Sequence, residues 1–287
     1  MKLLIFANCQ GKAVSKILKK LAQTTDIELE LEIETILNYE VIQPNAEKLP
    51  LHVIDAIGRS THLLWQPLGQ RWGEFSRISR FFPPNNVASF PYIYIDGLWP
   101  CFPEGDTIKG KDFPISVHEQ YPKTSDYLRE IDGKLRINDK EFSPLYSHDH
   151  WLLRDRLRHS VEILKEKDKA CNIPVTAMVT RLISRENVFY TQNHPNYKII
   201  TAVALRVIQH FTGKRAMAMS VNQRFEAVEP EPEAEYLYGT HSPTWPILAW
   251  VPKLHGFSWP TKNSATEEEK AVVFYMECAK HILQLAN

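Results

Sequence analysis

The chain opens on an apolar run, Leu3-Leu4-Ile5-Phe6-Ala7, that meets polar Asn8-Cys9-Gln10-Gly11 and continues with apolar residues at Ala13, Val14, Ile17, Leu18 and Leu21. A short apolar run, a polar turn and then i, i+3, i+4, i+7 spacing predict strand, tight loop and helix. From Ile27 to Ile36 apolar residues alternate with Glu, the pattern of a strand with one wet face at or near a sheet edge. Thr61 to Leu68 reads as a buried strand that stops at Gln66-Pro67, because proline removes a ladder donor. Val87 to Pro100 predicts a further strand rich in aromatics.

Asp149 is expected to cap a helix whose apolar face carries Leu152, Leu153, Leu157, Val161 and Leu164. Val188-Phe189-Tyr190 predicts a short strand, and Pro195 the first position of a helix with apolar Ile199, Ile200, Val203, Val207, Ile208 and Phe211, closed by Gly213. The expected fold is therefore α/β, a mainly parallel sheet flanked by helices. One domain over 1–287 is expected, with an insertion around 102–146 and a C-terminal helical extension over 214–287 that ends in a helix from Thr266 to about Leu285.

Charge narrows the partners. Lys+Arg and Asp+Glu both number 34, so the formal net charge is zero and no global field draws the chain to nucleic acid. The four cysteines, Cys9, Cys101, Cys171 and Cys278, are far apart and lack metal-ligand spacing, which argues against a zinc site and a disulfide framework and for a reducing cytoplasm. His148-Asp149-His150 is better read as a helix start than as a metal site, and no metal is expected. The opening apolar run is too short for a signal peptide or a membrane span. Peripheral association with a membrane stays open.

Cys9 is the first candidate for chemistry. A thiol beside a helix N-terminus tends toward thiolate, and the amides around Cys9, Gln10 and Gly11 could hold an oxyanion. The alternative is a small buried apolar residue, which a free cysteine usually is. Arg77 and Arg80, among the aromatics Trp72, Phe75, Phe81 and Phe82, suit bidentate phosphate contacts, as does Arg59. They read equally as the outward face of a surface helix meeting water and carboxylates. Tyr92, Tyr94 and Trp99 could line an acceptor cleft or belong to the core. His241 and His255 have nothing around them that marks a site.

A strand ending in Asn8-Cys9-Gln10 and followed at once by a helix resembles the "GNCQ" signature of the WcbI-type polysaccharide biosynthesis proteins. Leu64-Trp65-Gln66-Pro67-Leu68, Phe90-Pro91 through Trp99-Pro100, and Val188 through Asn193-His194-Pro195 resemble the same family in the same order, over about the first two thirds of the chain. Ala7 departs from the pattern, standing where the family has glycine. The resemblance implies a coenzyme-A-binding acetyltransferase of capsule assembly with a fold like that of the SGNH hydrolases.

On that resemblance Cys9 and His194 are catalytic, and Asn8, Gln10, Gly11 and Gln66 support the oxyanion. Arg59, Arg77 and Arg80 would meet the coenzyme A phosphates. SGNH hydrolases carry an Asp three residues before the histidine, where this chain has Thr191, so Asn193 or a backbone carbonyl is left to fix the imidazole tautomer. The implied function is coenzyme-A-dependent O-acetyl transfer from acetyl-CoA to a sugar or polysaccharide precursor, near membrane-bound polysaccharide machinery. The alternatives are an SGNH-type esterase or thioesterase and a non-catalytic binding protein of polysaccharide assembly.

Overall fold

Lys2–Ala7 forms β1, the strand around which the sheet is laid, and Leu3 through Ala7 are sealed from solvent. The computed structural model describes residues 1–24, 30–99, 146–213, 234–239, 244–245, 247 and 250–259. β2 (Glu32–Leu37), β3 (His62–Trp65) and β4 (Val87–Ser89) join β1 in a parallel four-stranded sheet of order β2-β1-β3-β4. The edge position expected for the Glu-bearing strand is borne out, and so is the α/β class.

Helices fill both faces because side chains alternate across a strand. Leu4, Phe6, Leu63 and Trp65 point to one face and pack with Val53 and Ala56 of α3 (Leu51–Arg59) and with Phe75 and Ile78 of a 3-10 segment, Gln70–Phe81. Gly73 kinks that segment at φ 55°, and a side chain there would drive its Cβ to 2.1 Å from the Ala46 carbonyl oxygen. On the other face, α1 (Cys9–Thr24) buries Ala13, Val14, Ile17, Leu18 and Leu21. Gly11 allows this approach: a Cβ there would lie 2.6 Å from Ala7 Cβ and 3.0 Å from Ile5 Cγ2.

A four-residue turn of helix, α2 (Asn38–Val41), follows β2. α4 spans Tyr146–Asp168 and α5 spans Thr176–Ile183. Asp149 thus lies inside the first turn of α4 rather than capping it. β5 (Phe189–Thr191) and β6 (His194–Pro195) pair antiparallel, and α6 (Tyr197–Thr212) leaves them. Asn196 caps α6, its side chain accepting from the Lys198 N–H, so Pro195 sits outside the helix instead of starting it. The closing Gly213, left-handed at φ 70°, is as expected. Two short helices, α7 (Ala234–Tyr238) and α8 (Trp250–His255), complete the described elements.

The strand expected over Val87 to Pro100 stops at Ser89. Pro91 has no N–H to donate, and the backbone of Ile93 is matched by a side chain rather than by a strand. The alternating stretch before Glu32 falls partly outside the described residues, as do the insertion around 102–146, almost all of it, and the terminal helix from Thr266.

The chain falls into two compact units. The first holds 1–94, 163–180 and 188–242, and the second 95–162, 181–187 and 243–287. In the second, Arg156 grips the buried Asp96 carboxylate through Nε at 2.9 Å and through Nη2. Trp99 packs edge-on against Trp245 at 5.7 Å, so it is core and not cleft. His255 faces the Gly97 carbonyl at 2.8 Å. Among the described residues no helix is long and apolar enough to cross a membrane.

Candidate active site

The chain leaves β1 for β2 on one side and later returns to β3 on the other, so the loops after these strands diverge at the carboxyl edge of β1. Such a divergence opens a crevice, the usual ligand position in open α/β sheets. Asn8 and Cys9 stand there, directly after β1. Gln66 follows β3, Phe90 to Tyr94 follow β4, and Tyr39 in α2 follows β2. All belong to the first unit.

Gln10 ties these loops together from a fully buried position. Its Nε2 donates to the Ile93 carbonyl at 2.6 Å and to the Asn193 carbonyl at 2.8 Å. Its Oε1 accepts from the Ile93 N–H and from Gln66 Nε2, each at 3.0 Å. A carboxamide has two donors and two lone pairs, so every bond Gln10 can make is made. Toward Ile93 it acts as a peptide group would, holding both backbone polar atoms as a neighbouring strand does. Through Asn193 it joins the residue after Cys9 to the residue before His194.

Gln66 is spent in the same way. Its Oε1 accepts from the Asn8 N–H at 2.9 Å, and its Nε2 reaches Gln10 Oε1 and, at 3.4 Å, the Pro91 carbonyl. Asn8 caps α1, with Oδ1 accepting from the Gln10 N–H at 2.9 Å and its carbonyl from the Gly11 N–H at 2.9 Å. The oxyanion role expected of Gln10, Gly11 and Gln66 meets donors already engaged. Asn8, Gln10 and Gln66 brace the loop that carries Cys9, and Gly11 lets its helix lie close on the sheet.

Cys9 is partly exposed and carries a free thiol. Burial pushes its thiol up to about 11, against the downward pull of the Gln10 and Cys9 backbone N–H groups. The thiolate tendency expected from the helix N-terminus is real in sign and outweighed by desolvation. The resting sulfur is a thiol.

His194 stands in the β5–β6 hairpin, and burial lowers its imidazole to about 4. It is a free base at neutral pH. Its ring lies on that of Tyr238, with centroids 4.2 Å apart and planes 23° from parallel. Nδ1 is buried and has no hydrogen-bond partner among the described residues. Asn193 is engaged elsewhere, its Oδ1 accepting from the Thr191 hydroxyl at 3.0 Å and its carbonyl from Gln10.

Each of the three arginines meets a carboxylate. Arg59 closes α3 before β3 begins, at the amino edge of the sheet, and pairs with Glu34 at 2.8 Å. Arg77 and Arg80 both turn to Glu74, Arg77 at 3.7 Å. A charged tail meeting these three would first displace carboxylates. Among the described residues no group of three or more His, Cys, Asp or Glu could hold a metal ion.

Comparison with known proteins decides the family. The model of the polysaccharide biosynthesis enzyme WcbI matches residues 2–212. The chain belongs to the WcbI family. That match spans the Cys9 loop, Gln66 and the His194 hairpin, so the resemblance carried by those stretches is borne out at the level of the family. A search among curated proteins finds no match. Among solved structures the chain is similar, at 16% identity and a TM-score of 0.45, to WcbI, described as a novel polysaccharide biosynthesis enzyme in a native form without a disulfide bond between coenzyme A and one of its cysteines; the likeness covers 99% of this chain and 98% of that one.

Two features of this WcbI-family site escaped sequence reasoning. Ile93 contributes only backbone, which leaves no residue-type signal. Tyr238 lies in a helix of five residues just past an acidic, proline-rich stretch, too short for any periodicity.

Proposed function

We propose that the protein transfers an acetyl group from acetyl-coenzyme A to a sugar hydroxyl in capsular or other surface polysaccharide synthesis, working in the cytoplasm beside membrane-bound machinery. The observation that carries the reading is the Gln10–Asn193 hydrogen bond of 2.8 Å, which ties the Cys9 loop to the His194 hairpin. Family membership supports the polysaccharide context.

The chemistry follows from the protonation states. As the Cys9 sulfur attacks the thioester carbonyl carbon, the His194 imidazole takes its proton; a free-base imidazole can do so, an imidazolium could not. The intermediate collapses, the carbon–sulfur bond to coenzyme A breaks, and the departing sulfur regains the proton from His194. Acetyl-Cys9 remains. The imidazole next takes the sugar hydroxyl proton as that oxygen attacks, and returns it to the Cys9 sulfur on release. Keeping Cys9 as a thiol at rest limits its side reactions with other electrophiles, because the thiolate is the nucleophile.

The high thiol pKa also favours a second route, in which His194 activates the sugar hydroxyl for direct attack and Cys9 only shapes the cleft. Intact mass after exposure to acetyl-coenzyme A without acceptor separates the two. The covalent route predicts an added acetyl group that Cys9→Ala abolishes, together with a loss of transfer on the order of a thousandfold. Full transfer by Cys9→Ala with loss in His194→Ala selects the direct route. No stabilisation by coenzyme A in a thermal-shift assay, with ester hydrolysis present, would replace both with an esterase.

A further inference from the structure

We propose that Tyr238 is a positioning residue for His194, doing with a ring face what a carboxylate does in a triad; this rests on the catalytic reading of His194 given above. An imidazole that moves protons must be held in one plane, and the usual device is a hydrogen bond from the ring nitrogen not facing the substrate. Here that device is absent among the described residues, for Nδ1 is buried without a partner there. The Thr191 side chain, at the place of the expected Asp, donates instead to Asn193.

The ring orientation therefore comes from packing. The Tyr238 ring covers the imidazole face at 4.2 Å. Tyr238 is in turn fixed at both ends. Its hydroxyl donates to the Pro195 carbonyl at 2.7 Å, one residue along the chain from the histidine it covers. Tyr190, on the paired strand, meets its ring edge-on at 6.4 Å. One tyrosine thus touches the imidazole with its face and the following backbone with its tip, which sets the angle between them.

The short helix bearing Tyr238 is clamped to α1, the helix that begins at Cys9. Lys16 Nζ donates to the Tyr236 carbonyl, and Lys16 and Lys20 lie over the Tyr236 ring at 5.3 and 5.8 Å. Gly239, left-handed at φ 105°, ends the helix with its N–H on the Glu235 carbonyl. Cys9 and His194 are consequently registered through two independent ties, Gln10 to Asn193 and α1 to Tyr238. A stacked ring has a further effect: when the imidazole gains its proton in the reaction, a cation over an aromatic face is stabilised.

The test compares Tyr238→Phe, which keeps the ring and loses the hydroxyl bond, with Tyr238→Leu, which loses the ring. Tyr238→Met repeats the second change with a more adaptable side chain should the leucine variant not fold. For acetyl transfer, the ring-less variants are expected to lose about 10- to 100-fold in kcat with KM for acetyl-coenzyme A nearly unchanged, as for a misplaced catalytic group, and Tyr238→Phe at most a few-fold. Nitrogen-15 NMR of His194, which needs no activity, should show one tautomer in the wild type and in Tyr238→Phe, and averaged tautomers with a moved titration in the ring-less variants. The inference is overturned if a folded ring-less variant keeps wild-type kcat, or if the His194 spectrum does not change when the ring is removed. Wild-type protein with no acetyl transfer and no acetyl-Cys9 would sink the proposed reaction instead, while the spectra still decide whether Tyr238 orients the imidazole.

Discussion

The two ends of the parallel sheet are built by opposite means. At the carboxyl edge, Gln10 and Gln66 are neutral, buried and saturated with hydrogen bonds. At the amino edge, Arg59 meets Glu34 at 2.8 Å and Lys2 meets Glu32 at 3.6 Å, all four side chains well exposed. Buried polar groups are expensive unless every bond is made, so the carboxyl edge has one arrangement that works. Exposed pairs are screened and interchangeable with water, so the amino edge has many. Position is fixed at the candidate site, and charge is left loosely held at the opposite end.

Breaking the saturated edge should give the largest effect. Gln10→Met keeps approximate length and leaves the Ile93 N–H and carbonyl, the Asn193 carbonyl and a Gln66 amide hydrogen without their partner. At about 1–3 kcal/mol for each buried group left unpaired, partly relieved by relaxation, the loss should reach about 4 kcal/mol in urea unfolding. A loss under about 1 kcal/mol would mean that the Gln10 network is dispensable.

The next effect is in pH. His194 is lowered from 6.5 to about 4, so above pH 6.5 it is neutral whether folded or unfolded and its full contribution is present. As pH falls from 6.5 toward 4 the unfolded histidine binds a proton and the folded one does not, so stability drops across that window by about 3 kcal/mol. His194→Gln should remove this part of the acid destabilisation. The same free base should keep transfer active well below pH 6.5, with an acid limb set by the folded value. An acid limb at the ordinary histidine value would contradict the burial argument.

How much of this edge could be read from residues depends on what each one does. β1, the α1 stripe and the α6 stripe were legible because burial imposes period 2 and period 3.6 on side chains. Cys9, Gln66 and His194 stood out by residue type at element ends. What Gln10 does was not legible: its partners are backbone atoms of Ile93 and Asn193, 83 and 183 residues away, and a carbonyl leaves no trace in a sequence. The arginines show the converse limit. Their residue type suits phosphate, and only coordinates place the carboxylates of Glu34 and Glu74 beside them.

The cap on α1 offers a graded test. Asn8→Ala removes the acceptor of the Gln10 N–H, a loss of about 1 kcal/mol for an N-cap. It also frees that N–H beside the sulfur. Stability should fall while the Cys9 thiol titrates lower, read by the pH dependence of its alkylation. A thiol titrating no lower than in the wild type would indicate that burial alone sets it.

Arg59→Ala, at the amino edge, should do least. It removes one exposed pair, worth at most about 0.5 kcal/mol after solvent screening, and salt should erase even that. Because Arg59 precedes β3 at its amino end and is already paired with Glu34, the thermal shift produced by coenzyme A should match the wild type. The same edit therefore sharpens the contrast between the ends: equal losses from Arg59→Ala and Gln10→Met would erase it. A coenzyme A response lost in Arg59→Ala would move the phosphate contacts to the amino edge and separate them from the sulfur.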